Sequence, residues 1–119
     1  MKLDLQQFRK INTERAVEGF KTYANVPLSF WGTALAGELG ELCNMIKKME
    51  RVEFGGIDAG SSYTAESLTK EMIEEEIGGI VIYLDLLASL LGISIEEATI
   101  KTFNSKSEKY KFSQLLPTT

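Results

Sequence analysis

Ala36-Gly37-Glu38-Leu39-Gly40-Glu41-Leu42-Cys43-Asn44-Met45-Ile46-Lys47-Lys48 is the stretch that decides the fold. Read as a helix, it places Glu38 and Glu41 one turn apart, about 60° apart around the axis. Leu35, Leu39, Leu42, Ile46 and Met49 recur at spacings of three and four and form a neighbouring apolar stripe. Two carboxylates at i and i+3 beside a core stripe can meet one divalent cation. Two carboxylates hold Mg²⁺ poorly, so the pattern calls for a second acidic pair elsewhere.

The rest of the composition narrows the chemistry. A chain of 119 residues, 44% hydrophobic and 25% charged, suits one globular domain with a single core. A net charge of -4 argues against a general nucleic-acid or anionic-membrane binder. With no histidine and one cysteine, Cys43, the chain has neither a His-based triad nor the ligands of an ordinary zinc site. Cys43 cannot form an internal disulfide and reads as a small buried residue; its isolation points to a reducing compartment. The start, Met1-Lys2-Leu3-Asp4, lacks the basic and apolar segments of a secretory signal. The apolar run from Ile77 to Leu91 is too short to span a bilayer and contains Asp85. A cytoplasmic location is expected.

Outward from the central stretch, helices account for most of the chain. Leu3, Leu5, Phe8, Ile11, Val17 and Phe20 predict a first helix over 3 to about 23, weakened by Asn12-Thr13 and Gly19. Pro27 disfavours helix at the residue before it, and Ser29 is expected to cap a second helix from about Phe30 to Val52. Residues 53 to 63 form a glycine- and serine-rich connection, a lid over a site or a plain linker. Thr64 can cap a third helix from about Ala65 to Leu91, with Leu68, Met72, Ile77, Ile80, Leu84, Leu87 and Leu91 as its stripe and Gly92 at C′. Ser94, with Glu97 in the capping-box position, opens a fourth helix to about Lys111; residues 113–119 are expected to fray. The predicted fold is an all-α four-helix bundle in one domain.

The third helix carries Glu71, Glu74, Glu75 and Glu76, with Asp85 beyond them. A partner for Glu76 at i+3 falls on Gly79. Glu75 lies on nearly the same side and can fill part of that place, whereas Asp85 points close to the opposite face.

At this point several segments fall into one order: Leu28-Ser29-Phe30-Trp31-Gly32, the central stretch through Lys48, Glu75-Glu76-Ile77, Ile82-Tyr83-Leu84-Asp85-Leu86-Leu87-Ala88, Gly92-Ile93 and Lys101-Thr102-Phe103-Asn104. Together they resemble the MazG-like all-α nucleoside triphosphate pyrophosphohydrolases, phage-type members in particular, over roughly residues 28 to 112. The resemblance implies hydrolysis of nucleoside or deoxynucleoside triphosphates to the monophosphate and pyrophosphate, in pool control or housecleaning, in the host cytoplasm if phage-encoded. It implies Mg²⁺, with Mn²⁺ as a substitute, held by Glu-x-x-Glu on one helix and Glu-x-x-Asp on the next. Glu38, Glu41 and Glu76 match three of those positions, and Gly79 stands where the aspartate is expected. Either Glu41 or Glu75 is then the base that orients water. Lys101 and Asn104 match the family's phosphate-contacting motif; Lys47, Lys48, Lys106 and Lys109 are further candidates as point charges. Trp31 either stacks on a nucleobase, as the family position implies, or packs in the core or at a dimer contact. Asp85 needs a partner if buried, supplied by a structural hydrogen bond or by the site of a neighbouring chain.

Long apolar stripes on a short chain also predict a homodimer or homotetramer. Two rival readings remain. Leu87 to Ala98 has the outline of a helix-turn-helix, but Glu96 and Glu97 sit where DNA phosphates would lie. Alternatively, Gly79 in place of a ligand leaves a catalytically impaired helical oligomer that binds nucleotide or a protein partner.

Overall fold

The computed structural model describes residues 2–19, 25–55 and 70–118. It is all-α: α1 (Leu5–Gly19), α2 (Leu28–Gly55), α3 (Lys70–Leu90) and α4 (Ile95–Lys109), with no strand among the described residues. None of these helices is long and apolar enough to cross a membrane by itself. The expected cap at Thr64, the start of the third helix before Lys70, the end of the first beyond Gly19 and most of the connection after α2 lie outside the described residues.

Local chemistry sets the helix ends. Asp4 caps α1, its Oδ1 accepting from the backbone N–H of Gln6 at 2.8 Å and of Gln7 at 3.1 Å. Thr13 does not interrupt α1 because its hydroxyl donates to the carbonyl of Arg9 one turn back, at 2.9 Å. α2 begins at Leu28, so Ser29 lies inside the first turn rather than capping it; the carbonyl of Pro27 accepts from Phe30 N–H at 3.0 Å. α3 ends as expected at Gly92, whose φ of 68° lets Ile93 N–H reach Ala88 O at 2.9 Å. The Ser94 hydroxyl caps α4, accepting from Glu97 N–H at 3.1 Å. α4 ends in the same reversal with Lys111 at φ 61° in place of glycine, and Phe112 N–H bonds Ser107 O at 2.8 Å. Gly92→Ala puts a Cβ on a left-handed residue, and urea unfolding should show a loss of about 1 kcal/mol.

The chain divides into two compact units, Pro27–Leu84 and the paired segments Met1–Val26 and Asp85–Thr119. α3 runs through both. In the first unit, α2 and the earlier part of α3 lie antiparallel: Trp31 is beside Tyr83, ring centroids 6.2 Å apart, while Glu38, further along α2, is beside Gly79, earlier on α3. Trp31 is fully buried, a burial that contributes about 3 kcal/mol. It meets Phe30 edge-on at 5.1 Å. Trp31 is therefore core, and its ring face is closed to a nucleobase.

Trp31 also sets which side of α2 turns inward. Steps of seven residues lead from Trp31 to Glu38 and to buried Met45, so Glu38 lies in the inward stripe while Leu39 (50% exposed) and Ile46 face out. α3 does the same. Glu76 and Gly79 are partly buried, whereas Ile77 (48% exposed), Val81 and Leu84 face out. The stripes read from the sequence placed Leu39, Ile46, Ile77 and Leu84 inside; the structure rotates both helices toward their glutamates. Cys43, expected to be buried, is exposed.

In the second unit, a polar clamp ties α1 to the α3–α4 corner. Asp85, 2% exposed, accepts from Arg9 Nε at 2.8 Å and from Asn12 Nδ2 at 3.0 Å, and Arg9 Nη2 donates to Ile93 O at 2.9 Å. The inward face of α1 is thus Asn12 and Ala16, with Ile11 and Val17 exposed. The C-terminal segment is held rather than frayed. Asn104 Nδ2 donates to Leu116 O at 2.9 Å, and Leu116 N–H donates to Asn104 Oδ1 at 2.7 Å.

Candidate metal centre

Glu38 and Glu41 from α2 and Glu76 from α3 each offer a carboxylate oxygen, and the three oxygens lie within 4.8 Å of one another. The i,i+3 spacing puts the α2 pair on one side, and the rotation of α3 brings Glu76 to meet it. Glu38 and Glu76 are partly buried, and Glu41 is exposed. Glu76 Oε2 is buried and has no hydrogen-bond partner. Burial pushes the Glu76 carboxyl up from 4.5 to about 7, assisted by hydrogen bonding to Glu38 and by the negative charges of Glu38 and Glu41. Like charges this close resist simultaneous ionisation, so the group holds a proton or calls for a cation.

A hard divalent cation suits these donors. Mg²⁺ takes oxygen ligands, keeps several waters, and needs only a few protein carboxylates. The orphaned Glu76 oxygen and the convergence of three acids from two helices fit such an ion. Glu75 is exposed and lies outside the cluster.

Gly79, the place of the expected aspartate, has a specific neighbour. A Cβ built there would lie 2.9 Å from Glu38 Oε2 and 3.5 Å from its Cδ. The carboxylate of Glu38 thus occupies the space next to the bare glycine. Sequence reading treated Gly79 only as a lost ligand; nothing in one chain signals which side chain lies over it.

The other expected site residues fare differently. Asn104 engages both ends of its amide with the Leu116 backbone, which ties its side chain to the C-terminal segment and leaves one Nδ2 hydrogen uncommitted by that pair. Lys101 lines a cleft of about 590 Å³ along α4 whose walls also carry Glu96, Glu97 and Glu108, a field that opposes phosphate. Lys106 and Lys109 are exposed on α4, and Lys109 Nζ sits 5.4 Å from the centre of the Tyr110 ring. Lys47 is exposed on α2 beyond Glu41, and Lys48 is partly buried. Asp85 has its partners within its own chain, Arg9 and Asn12, and so needs no role in a neighbour's site.

The raised pKa fixes the sign of a pH dependence. Glu76 binds its proton more tightly folded than unfolded, so its contribution to stability is complete below about 4.5 and is lost as pH rises through about 7. Thermal melts of the chain in EDTA should therefore fall across this window. Glu76→Gln should flatten that part of the profile.

No family model, curated protein or solved structure matches this chain.

Proposed function

We propose that this chain is a divalent-cation-dependent pyrophosphohydrolase of nucleoside or deoxynucleoside triphosphates, a four-helix bundle of the MazG-like all-α type working as a homodimer or homotetramer. The observation that carries the reading is the convergence of Glu38, Glu41 and Glu76 from two helices, one carboxylate oxygen of each within 4.8 Å of the others, with a buried Glu76 oxygen that has no hydrogen-bond partner. Gathering carboxylates, one of them with a buried unpaired oxygen, works against folding stability. Such local conflicts mark functional sites.

In the reaction, NTP and water give NMP and pyrophosphate. Bound Mg²⁺ supplies charge neutralisation on the triphosphate and acidifies a water. Glu38, Glu41 and Glu76 hold the ion. Glu41, the exposed member, has an oxygen available to orient the attacking water and take its proton; Glu75 lies outside the cluster and drops out as the base. Lys47 and Lys48, on the same helix as Glu38 and Glu41, are placed to meet phosphate as point charges. The oligomer is supported by the outward aliphatics of α2 and α3, Leu39, Ile46, Ile77, Val81 and Leu84. Gly79, which brings no ligand, favours one second reading, an oligomer of the same fold that binds nucleotide without turnover.

Phosphorus NMR of products from a panel of NTPs and dNTPs with Mg²⁺ tests the choice. Pyrophosphate and monophosphate support the proposal. Nucleoside diphosphate with inorganic phosphate contradicts the bond assignment, and no product from any nucleotide favours the binding-only oligomer.

A further inference from the structure

Gly79 lies in α3 on the face that meets α2, next to a second glycine, Gly78. The two differ in surroundings. A Cβ at Gly78 would meet nothing within 4 Å, whereas one at Gly79 would press on the Glu38 carboxylate at 2.9 Å, well inside van der Waals contact. Glycine in a helix interior is unfavourable relative to alanine, and at Gly78 the surroundings give no reason for it. At Gly79 they do.

We propose that Gly79 is a positioning residue: its bare Cα makes the space in which the Glu38 carboxylate folds against Glu41 and Glu76, so that three carboxylates from two helices close on one divalent cation with no donor from position 79. Glu38 reaches across the helix pair because nothing at Gly79 stops it. A Cβ there requires the Glu38 carboxylate to shift from the place in which it meets the other two. Gly79 thereby fixes the donor set at three, leaving more of the ion's positions to water and phosphate oxygens. The inference rests on the metal-centre reading above.

Mn²⁺ binding by the full chain, followed through the EPR signal of free Mn²⁺, tests it without any turnover. Gly79→Ala should weaken Mn²⁺ binding about tenfold, the scale of effects on residues that orient a ligand, while Gly78→Ala stays within about twofold of the parent. Both variants should melt no lower than the parent in EDTA, since both remove a helix-interior glycine. A double-mutant cycle locates the cause. In a Glu38→Asp background, whose shorter side chain keeps clear of a Cβ at 79, Gly79→Ala should lose most of its effect. Equal Mn²⁺ affinity in Gly79→Ala and Gly78→Ala would overturn the inference, as would an undiminished Gly79→Ala effect in the Glu38→Asp background. No Mn²⁺ binding by the parent chain would instead remove the metal centre itself, and the inference with it.

Discussion

Glu76→Gln should lower pyrophosphate release a hundred- to a thousandfold, the scale for removing one group that stabilises charge at the reacting centre, while making the metal-free chain more stable above pH 7. Both effects have one origin. Glu76 is pushed up to about 7 by burial and by Glu38 and Glu41, so its ionised form is held at a cost that a cation offsets. Glutamine keeps the shape, removes the charge and therefore relieves the repulsion, but it offers a poor ligand to Mg²⁺. Melting in EDTA at pH 8 and pyrophosphate release in Mg²⁺, on the same preparations, should move in opposite directions. A variant that loses both would mark Glu76 as structural.

Asp85→Ala should cost about 3 kcal/mol of stability, the lower end of the range for breaking a buried ion pair. Asp85 is almost wholly buried and is the shared acceptor of Arg9 and Asn12. Its removal leaves a partly exposed guanidinium, 25% accessible, that water can still reach, which keeps the loss from being larger. Denaturant unfolding measures the cost. Mn²⁺ affinity of the folded variant should stay at the parent value, because Asp85 touches none of the three carboxylates; a large fall would return Asp85 to the site.

Much of the helical layout was legible because helix ends are decided locally. Gly92 with its left-handed φ and Ser94 with its hydroxyl on Glu97 N–H act as read from the sequence. Asp4, an equally good cap, was overlooked because the hydrophobic rhythm was read from Leu3. Rotation about the helix axes was not legible. Leu35, Leu42 and Met49 belong to both the expected and the observed stripe of α2, so periodicity could not decide between Leu39 and Glu38 as the next member. Trp31 decided it, and one chain gives no sign that this tryptophan is core rather than a stacking surface. The acids Glu38, Glu41 and Glu76 were found together by spacing and resemblance. The need of Asp85 for a partner was legible, but not which one, and the pairing of Asn104 with Leu116 was not legible at all: Arg9, Asn12 and Leu116 are distant in sequence from the groups they meet, and polar contacts of that kind leave no local pattern.

If Glu38, Glu41 and Glu76 make one catalytic metal centre, turnover depends on the cation and on each carboxylate. Pyrophosphate release by the parent chain, Glu38→Gln and Glu41→Gln, each in Mg²⁺ and in EDTA, measures it directly. Release that requires Mg²⁺ in the parent and is lost in both variants, with their helical circular dichroism intact, is the predicted result. Release that persists in EDTA or in either variant would contradict it.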